Sequence, residues 1–141
     1  MSFSGVHHIS ITAGHFEESV RLYQEGLSFA IKHTWGRDKK VCMLEAGDSV
    51  CIELTEGNPG PGAGGGPCGN GQWMHLALRT DDIERDYRRA VEAGFLGKSP
   101  PAYADIMEAE PEPVYLWFAY LTGPDGEEIE LIQELEGPAE H

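Results

Sequence analysis

Basic residues are scarce in this chain. Ten Lys and Arg stand against 24 Asp and Glu, for a formal net charge of −14. Nucleic-acid binding needs a basic face, so that class of partner is excluded. Adhesion to an anionic lipid surface is excluded on the same ground. Long apolar runs are missing too. The longest, Val114 to Leu121, has eight residues, against the roughly 18 that a membrane-spanning helix needs. Cysteine is sparse, and Cys42, Cys51 and Cys68 form no CxxC pair. An odd, unpatterned set fits a reduced compartment better than a disulfide scaffold. The opening Met-Ser-Phe-Ser-Gly-Val-His-His has neither the basic nor the apolar region of a secretory signal. A cytoplasmic location is the expectation.

What is present looks globular. The 141 residues predict one compact domain, and 40% hydrophobic with 24% charged residues is ordinary for a folded chain. The 18 Gly and 9 Pro are in excess, and they are concentrated. Residues 57–71 hold eight Gly and three Pro. No core can form there, so the stretch reads as a linker. It divides the chain into halves of similar size, a first module over about 5–56 and a second over about 72–135, with a short tail at 136–141.

The halves repeat. Val6-His7-His8-Ile9-Ser10-Ile11 and Trp73-Met74-His75-Leu76-Ala77-Leu78 both alternate apolar and polar residues, the pattern of a half-buried strand. His75 follows His8 by 67 residues, and Glu84 follows Glu17 by the same interval. Each strand leads into a helix. Phe16, Val20, Tyr23 and Leu27 form the first apolar stripe, with Gly26 near its end. Ile83, Tyr87, Ala90 and Val91 form the second, with Asp81 or Asp82 to cap it and Gly94 to stop it. Asp48…Ile52-Glu53-Leu54 then parallels Asp125…Ile129-Glu130-Leu131 at an interval of 77. The second half therefore carries a ten-residue insertion, assigned to residues 103–113. Further strands are expected at 30–34, 40–45, 49–55, 114–121 and 128–133. A strand near 97–102 is weak because Pro100 and Pro101 interrupt it. The unit is β-α-β-β-β, used twice, in an α+β fold.

Two polar positions are shared by the halves: His8 with His75, and Glu53 with Glu130. Alternation places all four on the strand face opposite the core. His8 shares its face with Ser10 and Thr12, and Glu53 shares its face with Cys51 and Thr55. Four such strands can form a cup with a polar inside, where two imidazoles and two carboxylates converge. Two close carboxylates repel. A divalent cation removes the conflict, and nitrogen and oxygen donors suit Zn, Ni, Co, Mn or Fe. Alternation groups His7 with Ile9 and Ile11, as a packing or edge residue. His15, His33 and His141 are assigned no role. Cys51 reads as a small buried thiol. Trp117 reads as core, while Trp35 and Trp73 are candidates to line the cup.

The His7-His8 strand followed by Ser19-Val20-Arg21-Leu22-Tyr23, together with Gly123-Pro124-Asp125-Gly126-Glu127-Glu128-Ile129-Glu130-Leu131, resembles the glyoxalase I / vicinal oxygen chelate superfamily. The resemblance runs from Val6 to about Glu134. It implies a single domain of paired modules closing an eight-stranded cup around one metal, the glyoxalase/bleomycin resistance/dioxygenase fold. The order His8, Glu53, His75, Glu130 is similar to that of glyoxalase I, a lactoylglutathione lyase. By that resemblance the four residues hold a divalent metal, nickel or cobalt ahead of zinc, with manganese or iron as further options. The implied reaction converts the hemithioacetal of methylglyoxal and a thiol to a 2-hydroxyacyl thioester through an enediolate held at the metal. Glu130 is assigned as the base, and Glu53 lies across the metal from it. Glutathione is the candidate thiol, but the family's anchoring Arg four residues after the first His is Thr12 here. Arg79, four residues after His75, is the mirrored candidate to anchor a substrate anion, with Thr12 opposite. Modules in this superfamily pair within one chain or across two, and a homodimer is expected. The alternatives are another vicinal oxygen chelate enzyme (an epimerase, dioxygenase or thiol transferase) and a small-molecule-binding protein with the same cup.

Overall fold

A computed structural model describes residues 4–58 and 70–139. Most of the glycine-rich stretch, Cys68 and His141 lie outside the described residues. The order of elements is β1 (His8–Ala13), α1 (Phe16–Leu27), β2 (Ala30–Trp35), β3 (Val41–Glu45), β4 (Cys51–Glu56), β5 (Leu76–Arg79), α2 (Ile83–Ala93), β6 (Leu96–Ile106), β7 (Val114–Thr122) and β8 (Glu128–Leu135). Each half is β-α-β-β-β, as the repeat predicts. Each half builds its own four-stranded sheet, in the orders β1-β4-β3-β2 and β5-β8-β7-β6. The first strand of each module pairs in parallel with its last, and the other pairs are antiparallel. No described helix is long and apolar enough to cross a membrane.

The alternating sequence decides which face each sheet buries. Cys42, Leu44, Ile52 and Leu54 point one way from sheet 1, and Ala119, Leu121, Ile129 and Leu131 one way from sheet 2. Helix α1 covers the first set and α2 the second, and the two helices also touch each other. The result is one continuous core that both modules share. Each fully buried Leu or Ile in it contributes about 1.5–3 kcal/mol. The opposite face of each sheet, which carries the polar alternates, is left without a helix. Trp117 packs against the core as expected, edge-on to Tyr103 with ring centroids 5.7 Å apart.

Polar contacts also tie the modules together. The buried Tyr23 hydroxyl donates to Glu127 Oε2 at 2.9 Å, and the Gly14 amide donates to Asp125 Oδ1 at 3.0 Å. Burial, then the Glu127 carboxylate, holds the Tyr23 hydroxyl well above its ordinary pKa.

Gly26 lies near the end of α1, as expected. It is a buried helical residue, and a Cβ there would lie 2.8 Å from the Phe95 ring. Glycine serves close approach, and Ser28, in the left-handed region at φ 60°, ends the helix. Two strands differ from expectation. Strand β5 starts at Leu76 rather than Trp73. Its parallel partner β8 begins only at Glu128, so the ladder opens with Leu76 opposite Ile129. Strand β6 is the long one, despite Pro100 and Pro101. It is an edge strand, and the register shifts between Ser99 and Ala102 absorb the two prolines. It also takes residues 103–106 from the proposed insertion, so the insertion lengthens the β6–β7 hairpin rather than forming a separate loop. On α2 the capping expectation narrows to Asp82, whose side chain accepts from the Arg85 amide at 3.1 Å.

Candidate metal centre

Register places the four shared residues on the helix-free faces. In sheet 1, His8 lies opposite Cys51 and Ser10 opposite Glu53. His8 and Glu53 therefore sit diagonally on neighbouring strands, with His8 Nε2 3.9 Å from Glu53 Oε2. In sheet 2, Ala77 lies opposite Glu130, and His75 stands just ahead of β5. His75 Nε2 is 3.3 Å from Glu130 Oε1. The parallel pairing of first and last strands brings the two ligand types together in both modules.

These separations can be tested against a metal. An ion about 2.1 Å from each donor, with angles between tetrahedral and square, needs donors about 3.0–3.4 Å apart. The second pair already has that bite. The first must close by about half an ångström. Neutral imidazole and carboxylate are the right donors for a first-row divalent ion. The chain nevertheless presents two pairs rather than one set of four. Among the described residues no group of three or more His, Cys, Asp or Glu is placed to hold one ion.

Each carboxylate has a hydroxyl partner. Ser10 Oγ donates to Glu53 Oε1 at 3.1 Å. Tyr120, directly across the ladder from Glu130, hydrogen-bonds it, and this contact first, then burial, pushes the phenol up to about 12. The Tyr120 ring also stands edge-on to His75, centroids 5.7 Å apart. Such partners orient ligands and tune them. His7 has a similar place, with its Nδ1 2.9 Å from Nδ1 of His8. That contact leaves His8 Nε2, the atom nearer Glu53, for a ligand. Sequence reasoning missed Tyr120 because it lies in an apolar run, and it took His7 for a packing or edge-exposed residue, of which the exposed alternative holds.

The remaining candidates fall out as follows. Arg79 is on the helix-free face of β5, exposed, with Nη1 3.9 Å from Asp48 Oδ2. Thr12 is on the same face as Ser10, opposite Thr55. Cys51 is buried and free. Trp73 is exposed ahead of β5. His33, assigned no role from sequence, is on the site face: it lies opposite Met43, which lies opposite Glu53. His15 approaches Asp125 at 3.7 Å, away from the pairs. Arg85 and Arg89 form the charged face expected of α2, held by Asp81 and Asp86.

An open cleft of about 850 Å³ is lined by Ile9, Leu27, Phe29, Leu76 and Leu78, with Asp48 and Arg79 at its rim. None of the four His and Glu residues lines it. It belongs to the gap between the modules near β1 and β5, the strands that have no partner on one edge.

This architecture agrees with the sequence comparison. The Glyoxalase/Bleomycin resistance protein/Dioxygenase superfamily profile matches residues 5–131, and the chain belongs to that superfamily. No curated protein matches at the sequence level. Among solved structures, a glyoxalase family protein from Enterococcus faecalis is similar, at TM-score 0.73 and 24% identity over 94% of this chain and 99% of the other. A V278E mutant of glyoxalase I from Zea mays gives 0.69 and 18% over 90% of this chain, which spans 43% of the maize protein. TnmS3, an antibiotic binding protein from Streptomyces sp. CB03234, gives 0.64 and 24% over 96% and 99%. At these identities the likeness is one of fold.

Proposed function

We propose that the protein is a metal-dependent lyase of glyoxalase I type. It isomerises the hemithioacetal of a 2-oxoaldehyde such as methylglyoxal and a thiol to the 2-hydroxyacyl thioester. The observation that carries this reading is the His–Glu pair repeated at matched register, 3.9 Å and 3.3 Å across. A small-molecule binder needs no such set.

The working site is shared by two copies of the chain: His8 and Glu53 of one copy face His75 and Glu130 of the other. Three features support this pairing. Strands β1 and β5 each leave one edge unpaired, and such edges invite another chain. Val6, Ile9, Trp73 and Met74 expose apolar surface around those edges. The cleft beside them is walled mainly by aliphatic side chains. Docking β1 of one copy beside β5 of the next completes the eight-stranded cup.

The four residues would hold a divalent ion, nickel or cobalt ahead of zinc. When bound, it supplies Lewis-acid stabilisation for charge on the two vicinal oxygens. The chain's own residues move the proton. Glu130 takes it from the carbon that bears the hydroxyl and the sulfur, and the electron pair forms the enediolate. Returning that proton to the former carbonyl carbon, with the hydroxyl proton passing from one vicinal oxygen to the other, gives the 2-hydroxyacyl thioester, so the reaction is an isomerisation with no added reagent. Glu53 reaches the substrate from the opposite face. Ser10 and Tyr120 keep the two carboxylates oriented. Arg79 anchors an anionic group of the thiol.

Loss of hemithioacetal absorbance with gain of thioester absorbance, measured with several thiols, tests the reaction. Glu130→Gln should retain most of the metal and lose at least about a hundredfold in turnover. Full activity with metal retained would remove Glu130 from the role of base.

A further inference from the structure

Strand β2 carries one residue more than its partner. Ala30 pairs with Glu45 and Ile31 with Leu44, but the next pair is His33 with Met43, then Thr34 with Cys42 and Trp35 with Val41. Lys32 is the extra residue, a β-bulge. Bulges re-aim side chains, and they concentrate beside functional sites. Without this one, strict alternation would put Lys32 and Thr34 opposite Met43 and Val41. With it, His33 and Trp35 take those places.

The rows on this face continue to the site. Glu53 pairs with Met43, and Met43 with His33. One step along, Thr55 pairs with Val41, and Val41 with Trp35. From strand spacing and rise, the Cα of Trp35 is about 12 Å from that of Glu53. An indole extends over half that span. Trp35 is 50% exposed, so its ring is available. In sheet 2 the row beside Glu130 and Tyr120 is Ile132 with Phe118. The wall around the polar centre is therefore apolar and aromatic in both modules. Arg79 lies 3.9 Å from Asp48, and Lys98 meets Glu128. The sequence outside the described residues contains no Lys or Arg.

We infer that the Lys32 bulge builds an aromatic subsite, with Trp35 as its platform, that selects substrates whose two vicinal oxygens carry an aryl or bulky apolar group rather than a methyl. This rests on the metal-centred site proposed above. A ring laid against Trp35 gains both buried area and aromatic contact.

The test uses two chelators that differ only in their side group, benzohydroxamate and acetohydroxamate. Each is titrated calorimetrically into the metal-loaded protein, wild type and Trp35→Ala. The subsite predicts that the phenyl compound binds wild type about tenfold or more tighter, that Trp35→Ala removes most of that ratio, and that Trp35→Phe keeps most of it. Equal affinities in wild type, or the same ratio in Trp35→Ala, would overturn the inference. Turnover of the phenylglyoxal hemithioacetal is measured alongside. A ratio that behaves as predicted without turnover leaves the subsite standing and removes the proposed reaction. Turnover with a flat ratio does the reverse. Trp35 is exposed on an edge strand, and thermal melts of the metal-free variants should coincide with wild type.

Discussion

At the scale of single residues, the site depends on partners that hold its ligands. Tyr120 touches both members of the second pair, through its hydroxyl to Glu130 and its ring edge to His75. Tyr120→Phe keeps the ring and removes only the hydroxyl. Metal affinity should then fall by about tenfold or more, with little change in the melt of the metal-free protein. Calorimetric titration with nickel checks this. An unchanged affinity would mean that the hydroxyl does not orient Glu130. Away from the site, Asp86 gives a pH signature. Burial pushes its carboxyl up, but hydrogen bonds from Arg85 and Thr80 outweigh that and hold it below the ordinary Asp value. A pKa lowered by folding adds stability that is present above about pH 4 and lost as pH falls through the folded value. Asp86→Asn should therefore cost about 1 kcal/mol at pH 7 and nothing at about pH 2, read from urea melts across that range.

The ligand residues themselves were legible because alternation and a repeat interval are one-dimensional signals. Glu53 and Glu130 each sit between apolar residues that point into the core (Ile52 and Leu54, Ile129 and Leu131), so their own direction is fixed, and His8 and His75 follow from the alternation of their strands and the repeat interval. His33 was not legible as a site residue, and Trp35 was legible only as an aromatic that could line the cup. Their direction depends on the extra residue at Lys32, which no Gly or Pro announces. Tyr120 was hidden for a related reason: its hydroxyl partner lies on the next strand, and nothing local in the sequence names that partner.

At the scale of elements, helices α1 and α2 hold the modules together, and Gly26 sets how closely they meet the chain around them. Alanine usually gains about 1 kcal/mol over glycine inside a helix. Here the added methyl would press on Phe95, 2.8 Å away. Overpacking of that kind costs about 1–3 kcal/mol. Gly26→Ala should lower the melting temperature by several degrees, and a rise would show that the approach of Phe95 is not tight. The sequence places Gly26 near the helix end, but it cannot tell a glycine that permits a turn from one that permits contact. The prolines of β6 taught the opposite lesson. Pro100 and Pro101 argued against a strand, yet an edge strand can carry them at a register shift.

At the scale of the whole molecule, the chain has one core shared by both modules, and the proposed function makes each module a half-site. The scarcity of basic residues argues against nucleic acid, and in the proposed site two of the acids, Glu53 and Glu130, have a use that the charge count does not reveal. The eight strands form two open sheets with β1 and β5 each at an edge, and in the proposed dimer a second copy supplies the other half of the cup. Symmetry then gives two metal sites per dimer, each drawing on both chains. Mixing two inactive variants tests this directly. His8→Ala has no intact site with itself, and neither does His75→Ala. A mixed dimer of the two has one intact site out of two, and random exchange makes about half of all dimers mixed. Recovery of about a quarter of the wild-type metal content and hemithioacetal turnover is the predicted result. No recovery from fully exchanged dimers would place all four ligands in one chain and contradict the shared site.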